Sequence, residues 1–76
     1  MVWYVIEVQT NNGQGAAIPT AYTDRDTAEQ KYHMILSAAA VSSVEQHGAI
    51  LISSDMREFR REYYDRTGEE TIHFWM

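Results

Sequence analysis

Only one stretch of this chain has the periodicity of a long helix, and that limits the fold more than any other feature. In "TDRDTAEQKYHMILSAAAVSS", Ala28, Tyr32, Ile35, Leu36 and Ala39 recur at intervals of three and four, while Arg25, Glu29 and His33 fall on the other side. This predicts an amphipathic helix over roughly 24–41. Thr23 or Asp24 caps it, and Asp24, Asp26 and Glu29 lie near its positive end. Ala38, Ala39 and Ala40 permit close approach to a sheet, and the helix is expected to fade at Ser42 and Ser43. One helix covers one face of a sheet, so any sheet in this chain has a second face to account for.

The rest reads as strand. "VWYVIEVQT", residues 2–10, is rich in β-branched and aromatic types. "NNGQG" at 11–15 is a turn, because Asn and Gly tolerate positive φ. "AAIPTAY" at 16–22 reads as a return strand, and Pro19 assigns it to an edge. Residues 44–53, "VEQHGAILIS", read as a further strand with Gly48 as a candidate bulge. Alternation in the first strand puts Trp3 and Val5 on one face and Tyr4, Ile6 and Val8 on the other. Both faces are apolar near its start.

"EFRREYYDR", residues 58–66, is open to two readings. As a strand, Phe59, Arg61, Tyr63 and Asp65 point one way and Arg60, Glu62, Tyr64 and Arg66 the other. The arginines are then divided between faces. As a helix, Asp55 and Glu58 form a box-like start, Met56, Phe59 and Tyr63 make a stripe, and Arg57, Arg61 and Tyr64 gather outside. The strand reading is preferred because it keeps successive neighbours antiparallel. At the end, "DRTGEETIHFWM" suggests a tight turn over Arg66–Glu69 with Gly68 in the left-handed region. Residues 67–76 then form an arm or a last strand. The expected fold is α+β: residues 1–76 as a single domain, with an antiparallel sheet of about four strands and one helix packed on one face.

A chain of 76 residues buries only about 60% of its unfolded surface, so its stability margin is thin. Small domains compensate with disulfides, a metal, oligomerisation or dense packing. With no cysteine, disulfides and thiolate metal sites are excluded. His33, His47 and His73 lie in three separate segments without metal-ligand spacing, so no metal and no cofactor are expected. Eleven acids against six bases give a net charge of −5, which opposes binding to nucleic acid polymers or anionic membranes. No signal peptide or transmembrane run is read, which makes the cytoplasm the expected compartment.

Catalytic constellations are missing from the sequence. None of the serines sits in a Gly-x-Ser-x-Gly elbow, "NNGQGAA" lacks a Walker lysine, and Glu69 and Glu70 would face apart in a strand. His33 reads as a solvated helix side chain. His47, beside Gly48 at a strand start, could donate to an anion, although a structural role is the more ordinary reading. The chain is therefore expected to bind rather than catalyse, with an enzyme of unknown type a third choice. The leading expectation is a homo-oligomeric protein–protein interaction module, a dimer in its commonest form, with Trp3, Tyr4, Phe74 and Trp75 as aromatic interface anchors. The alternative is a sequestering binder of a small phosphorylated ligand such as a signalling nucleotide, with Arg57, Arg60, Arg61 and Tyr64 as the clamp. Partners are thus a second copy of the chain, and a host protein or small anionic ligand.

"WYVIEVQTNNG" together with "YTDRDTAEQKYHMILSAAAVSSVEQHGA" resembles a group of small uncharacterised proteins carried by bacteria and their prophages. The resemblance covers residues 3–49, about the first two-thirds of the chain, and weakens beyond Ile52. It implies a bacterial or phage accessory protein of the cytoplasm. It carries no activity, so no residue inherits a role. Accessory proteins of this kind often block a host factor or sequester a signalling nucleotide, which is what the resemblance adds to the two binding readings.

Overall fold

The first structural event is a turn. Asn12 and Gly13 have φ of 54° and 78°, the pair of positive values that a two-residue type I′ turn requires. They join β1 (Trp3–Asn11) to β2 (Gln14–Tyr22) in continuous antiparallel register, from Asn11 opposite Gln14 to Trp3 opposite Tyr22. The structure, a computed structural model, describes residues 1–66 in full and residues 72–75 at the level of the backbone. The expected turn around Gly68 lies outside the described residues.

After β2 the chain enters α1 (Arg25–Ala40). Asp24 is the N-cap: its carboxylate accepts from the Thr27 N–H at 3.0 Å and from the Thr27 hydroxyl at 2.8 Å. These bonds, side chain first, hold the Asp24 carboxyl below its ordinary value. At the far end Val41 N–H returns to the Ala38 carbonyl, and Arg66 Nη2 donates to the Ala40 carbonyl at 2.7 Å. A cation at the helix C-terminus also suits the macrodipole.

Three further strands complete the sheet: β3 (Gln46–Ser53), β4 (Glu58–Asp65) and the short β5 (Ile72–Trp75). The order is β2-β1-β3-β4-β5, and every neighbouring pair is antiparallel. This is the expected α+β layout of four strands and one helix, with β5 added beyond β4. Residues 58–65 are strand, and β2 with Pro19 is at the edge, as read from the sequence. The helix lays Ala28, Tyr32, Ile35 and Leu36 against Val5, Ala49 and Leu51, with Trp3, Tyr22 and Phe59 packed around them, and Ala39 is also buried. Burial pushes the Tyr32 phenol up to about 12, with Glu62 adding to the effect, so it stays neutral.

Two local expectations are corrected. Gly48 is not a bulge: it pairs in regular register with Val8 on one side and Tyr63 on the other. A Cβ there would collide with the Tyr63 Cβ and the Glu62 carbonyl, so glycine is what lets β4 close on β3. The register shift comes instead between Leu51 and Ile52, where the pairing steps from Arg60 to Glu58 and leaves Phe59 as the extra residue. The bulge breaks the simple alternation read for 58–66, so Phe59 joins the core beneath the helix.

The β3–β4 connection is closed by Ser53 N–H to the Arg57 carbonyl and Met56 N–H to the Ser53 carbonyl, both 2.9 Å. Met56 occupies the left-handed region with φ of 67° and an exposed side chain, where glycine would be unstrained. Met56→Gly is expected to raise stability by about 0.5 kcal/mol. Relief of about 1 kcal/mol of left-handed strain outweighs the extra entropy of the unfolded chain. A higher urea midpoint with unchanged m-value is the readout, and a lower midpoint refutes the strain. Gly48→Ala is expected to cost about 3 kcal/mol in the same measurement. Gly15→Ala, whose nearest foreign atoms would be 3.9 Å away, is the tolerated comparison.

Candidate functional site

The sheet has two unlike faces because β-strand side chains alternate. Val5, Ala49 and Leu51 face the helix, so their neighbours along the strands face away from it. Tyr4, Ile6 and Val8 of β1, Ala17, Pro19 and Ala21 of β2, Ile50 and Ile52 of β3, and Arg61 and Tyr63 of β4 form this second face by register. Among the described residues no element packs over it. Val8 is 37% and Tyr63 42% exposed, while Tyr4, Ile6, Ile50 and Ile52 are half-buried. This contiguous apolar surface, small on the β2 side and bulky on the β4 side, is the candidate functional site.

The aromatic anchors read from the sequence separate. Tyr4 lies on the open face. Trp3 lies under the helix against the core, opposite Tyr22 and Ser53 in register, so it does not belong to the open surface. Phe74 and Trp75 fall in β5, where the backbone pairs them with Tyr63 and Glu62; their side chains lie outside the described residues. Ile6, Val8, Ile50 and Ile52 are the missed members. Alternation showed their parity, but which parity the helix would cover is a tertiary outcome.

The four clamp residues are not brought together. Arg57 sits exposed at the β3–β4 turn. Arg60 turns to the helix, where its Nε donates to Glu29 Oε1 at 2.6 Å, an ion pair that raises its already high pKa. Arg61 lies on the open face, 3.5 Å from Glu58. Tyr64 lies on the helix side with the Arg66 guanidinium 5.4 Å from its ring centre. Glu29 also meets Arg25 at 3.4 Å, and Arg25 stacks on Phe59 at 4.6 Å. Of the basic residues of this segment, Arg60 and Arg66 thus fasten β4 to the helix. An open concavity of about 400 Å³ at the β1–β2 tip, lined by Gln9, Asn11, Asn12, Gln14, Gly15 and Ala16, contains no charged side chain. No group of three or more His, Cys, Asp or Glu residues gathers at metal-binding distance among the described residues.

His47 does donate to an anion, but the anion is in its own chain. It is buried, at 6% exposure, and its Nε2 lies 2.7 Å from Glu7 Oε2. Gln9 Nε2 donates to the same oxygen at 3.0 Å. The His47 bond, more than Gln9, holds the Glu7 carboxyl below its ordinary value of 4.5 against the opposing effect of burial. Lys31 on the helix assists. No sequence spacing reveals this pair, because residues 40 apart meet only through the β1–β3 register.

Comparison with family models, curated proteins and solved structures found no match to this chain. No helix among the described residues is long and apolar enough to cross a membrane.

The Glu7–His47 pair has a signed pH consequence. A carboxyl with a depressed folded-state pKa contributes stability that is complete above 4.5 and is lost as pH falls through the lowered value. Glu7→Gln is expected to cost about 1–2 kcal/mol at pH 7. The deficit should shrink as both proteins are titrated below that range. Urea denaturation at several pH values checks this, and a pH-independent deficit refutes it.

Proposed function

We propose that this chain is a non-catalytic interaction module that works as a homo-oligomer, a dimer in its simplest form, through the open face of its sheet. The observation that carries this reading is the uninterrupted apolar surface of Tyr4, Ile6, Val8, Ile50, Ile52 and Tyr63 opposite the helix. Apolar surface on this scale is stabilised by being covered. Pro19 supports the face rather than the edge as the contact, since it removes a donor midway along the outer strand β2. The resemblance to small bacterial and prophage proteins adds the setting: an accessory, inhibitory protein of the cytoplasm whose assembled form engages a host protein.

Native mass spectrometry at tens of micromolar tests the assembly. The expected mass is twice the 8.8 kDa of the chain. Val8→Lys, which places a charge at an exposed position of the face, is expected to give the single-chain mass with an unchanged circular dichroism spectrum. A single-chain mass for the unaltered protein would overturn the proposal.

A further inference from the structure

The open face has a lateral order that specifies how a second copy would fit it. The following rests on the interaction-module reading above. Across the sheet, register defines three levels. Tyr4 is level with Ala21, Ile52 and Glu58; Ile6 with Pro19, Ile50 and Arg61; Val8 with Ala17, Gly48 and Tyr63. At each level the β2 position is small or cyclic and the β4 position is long. At Gly48 the space a side chain would take is filled by Tyr63 and the Glu62 carbonyl.

Two face-to-face arrangements keep two-fold symmetry and aligned strands. An axis across the strands lays β4 on β4 with its direction reversed. Placed midway between the Arg61 and Tyr63 levels, it brings Glu58 of one copy towards Asp65 of its partner and crowds Arg61 against Tyr63, while on β2 Pro19 meets Ala17 and Ala21 meets Gly15 across a gap. An axis along the strands, between β1 and β3, lays β4 over β2 and β1 over β3. Tyr63 then faces Ala17, Arg61 faces Pro19, Tyr4 faces Ile52, Ile6 faces Ile50, and Val8 faces Gly48. Long side chains meet short ones, and no acid is brought onto an acid. We infer that the occupant of the open face is a second copy of this chain, stacked sheet on sheet about a two-fold axis parallel to the strands, with β4 of each copy over β2 of the other.

The size fits a weak, exchanging pair. Four strands about 4.8 Å apart and seven residues of about 3.4 Å give a face of roughly 450 Å² per copy. A stacked pair covers roughly 900 Å² before side-chain relief is counted, just below the roughly 1,000 Å² of a specific interface and within the range of transient association.

The chain has no cysteine, so single cysteines report geometry without background. Ala17→Cys and Tyr63→Cys are prepared separately, mixed, allowed to exchange, and treated with a short bismaleimide that spans the about 10 Å between stacked sheets. Cross-linked dimer is expected in the mixture and in neither variant alone. The exposed pair Ala21→Cys and Glu58→Cys reads the same arrangement one end of the strands away, should Tyr63→Cys disturb packing at Gly48. Self-cross-linking of Tyr63→Cys or Glu58→Cys, or a dimer by mass that cross-links in neither mixture, overturns this geometry and leaves the open-face reading standing. A single-chain mass overturns both.

Discussion

Everything in this protein depends on one packing event, the seating of Ala28, Tyr32, Ile35 and Leu36 on Val5, Ala49 and Leu51. The helix is 16 residues long, about 24 Å, which matches the length of the strands beneath it. Its width matches only one side of the sheet. The apolar side chains of opposite parity in β1 and β3 are therefore left without a cover from within the described residues. In a chain this small the area buried sets the stability margin. A face left open among the described residues is then also a source of stabilisation that a partner could supply.

The polar interactions serve that same packing. Asp24 starts the helix at its cap, and Arg66 bonds the last turn. Between them Glu29 accepts from Arg60 while Arg25 lies over Phe59, so the bulged end of β4 is gripped from two sides. Exposed ion pairs of this kind contribute little individually. Here they decide position more than stability: they draw Phe59 and Arg60 to the helix side and leave Arg61 and Tyr63 on the other. Strand alternation divides Arg60 from Arg61, so within a cluster that looks like an anion clamp in the sequence Arg60 fastens β4 to the helix while Arg61 lies on the other face. The buried Glu7–His47 pair does similar work across β1 and β3 at the opposite end of the helix face.

Much of the fold was legible because its signals are local. Helix periodicity, the Asp24 cap, the Asn12–Gly13 turn and the edge placement of Pro19 each follow from the conformational preferences of a few adjacent residues. The alternation of Trp3, Tyr4, Val5 and Ile6 was equally clear, and it showed that one apolar parity would remain uncovered. It did not show which one. That choice placed Trp3 in the core and Tyr4 on the open face, and it followed from the helix docking on Val5, Ala49 and Leu51. Gly48 was noticed for the wrong reason: the glycine serves a close approach between strands, and the bulge belongs to Phe59.

The sequence by itself determined the helix, the first three strands and the existence of a sheet with more apolar faces than helix to cover them, and it left residues 58–66 open between strand and helix. Only the tertiary structure decided which residues share a face, which cation meets which carboxylate, and where the register shifts. The physical reason is range. Turns, caps and periodicity are set by neighbours within a few residues, whereas the Glu7–His47 contact, the Arg60–Glu29 pair and the levels of the open face depend on strand register. Register is fixed only when distant segments pack together.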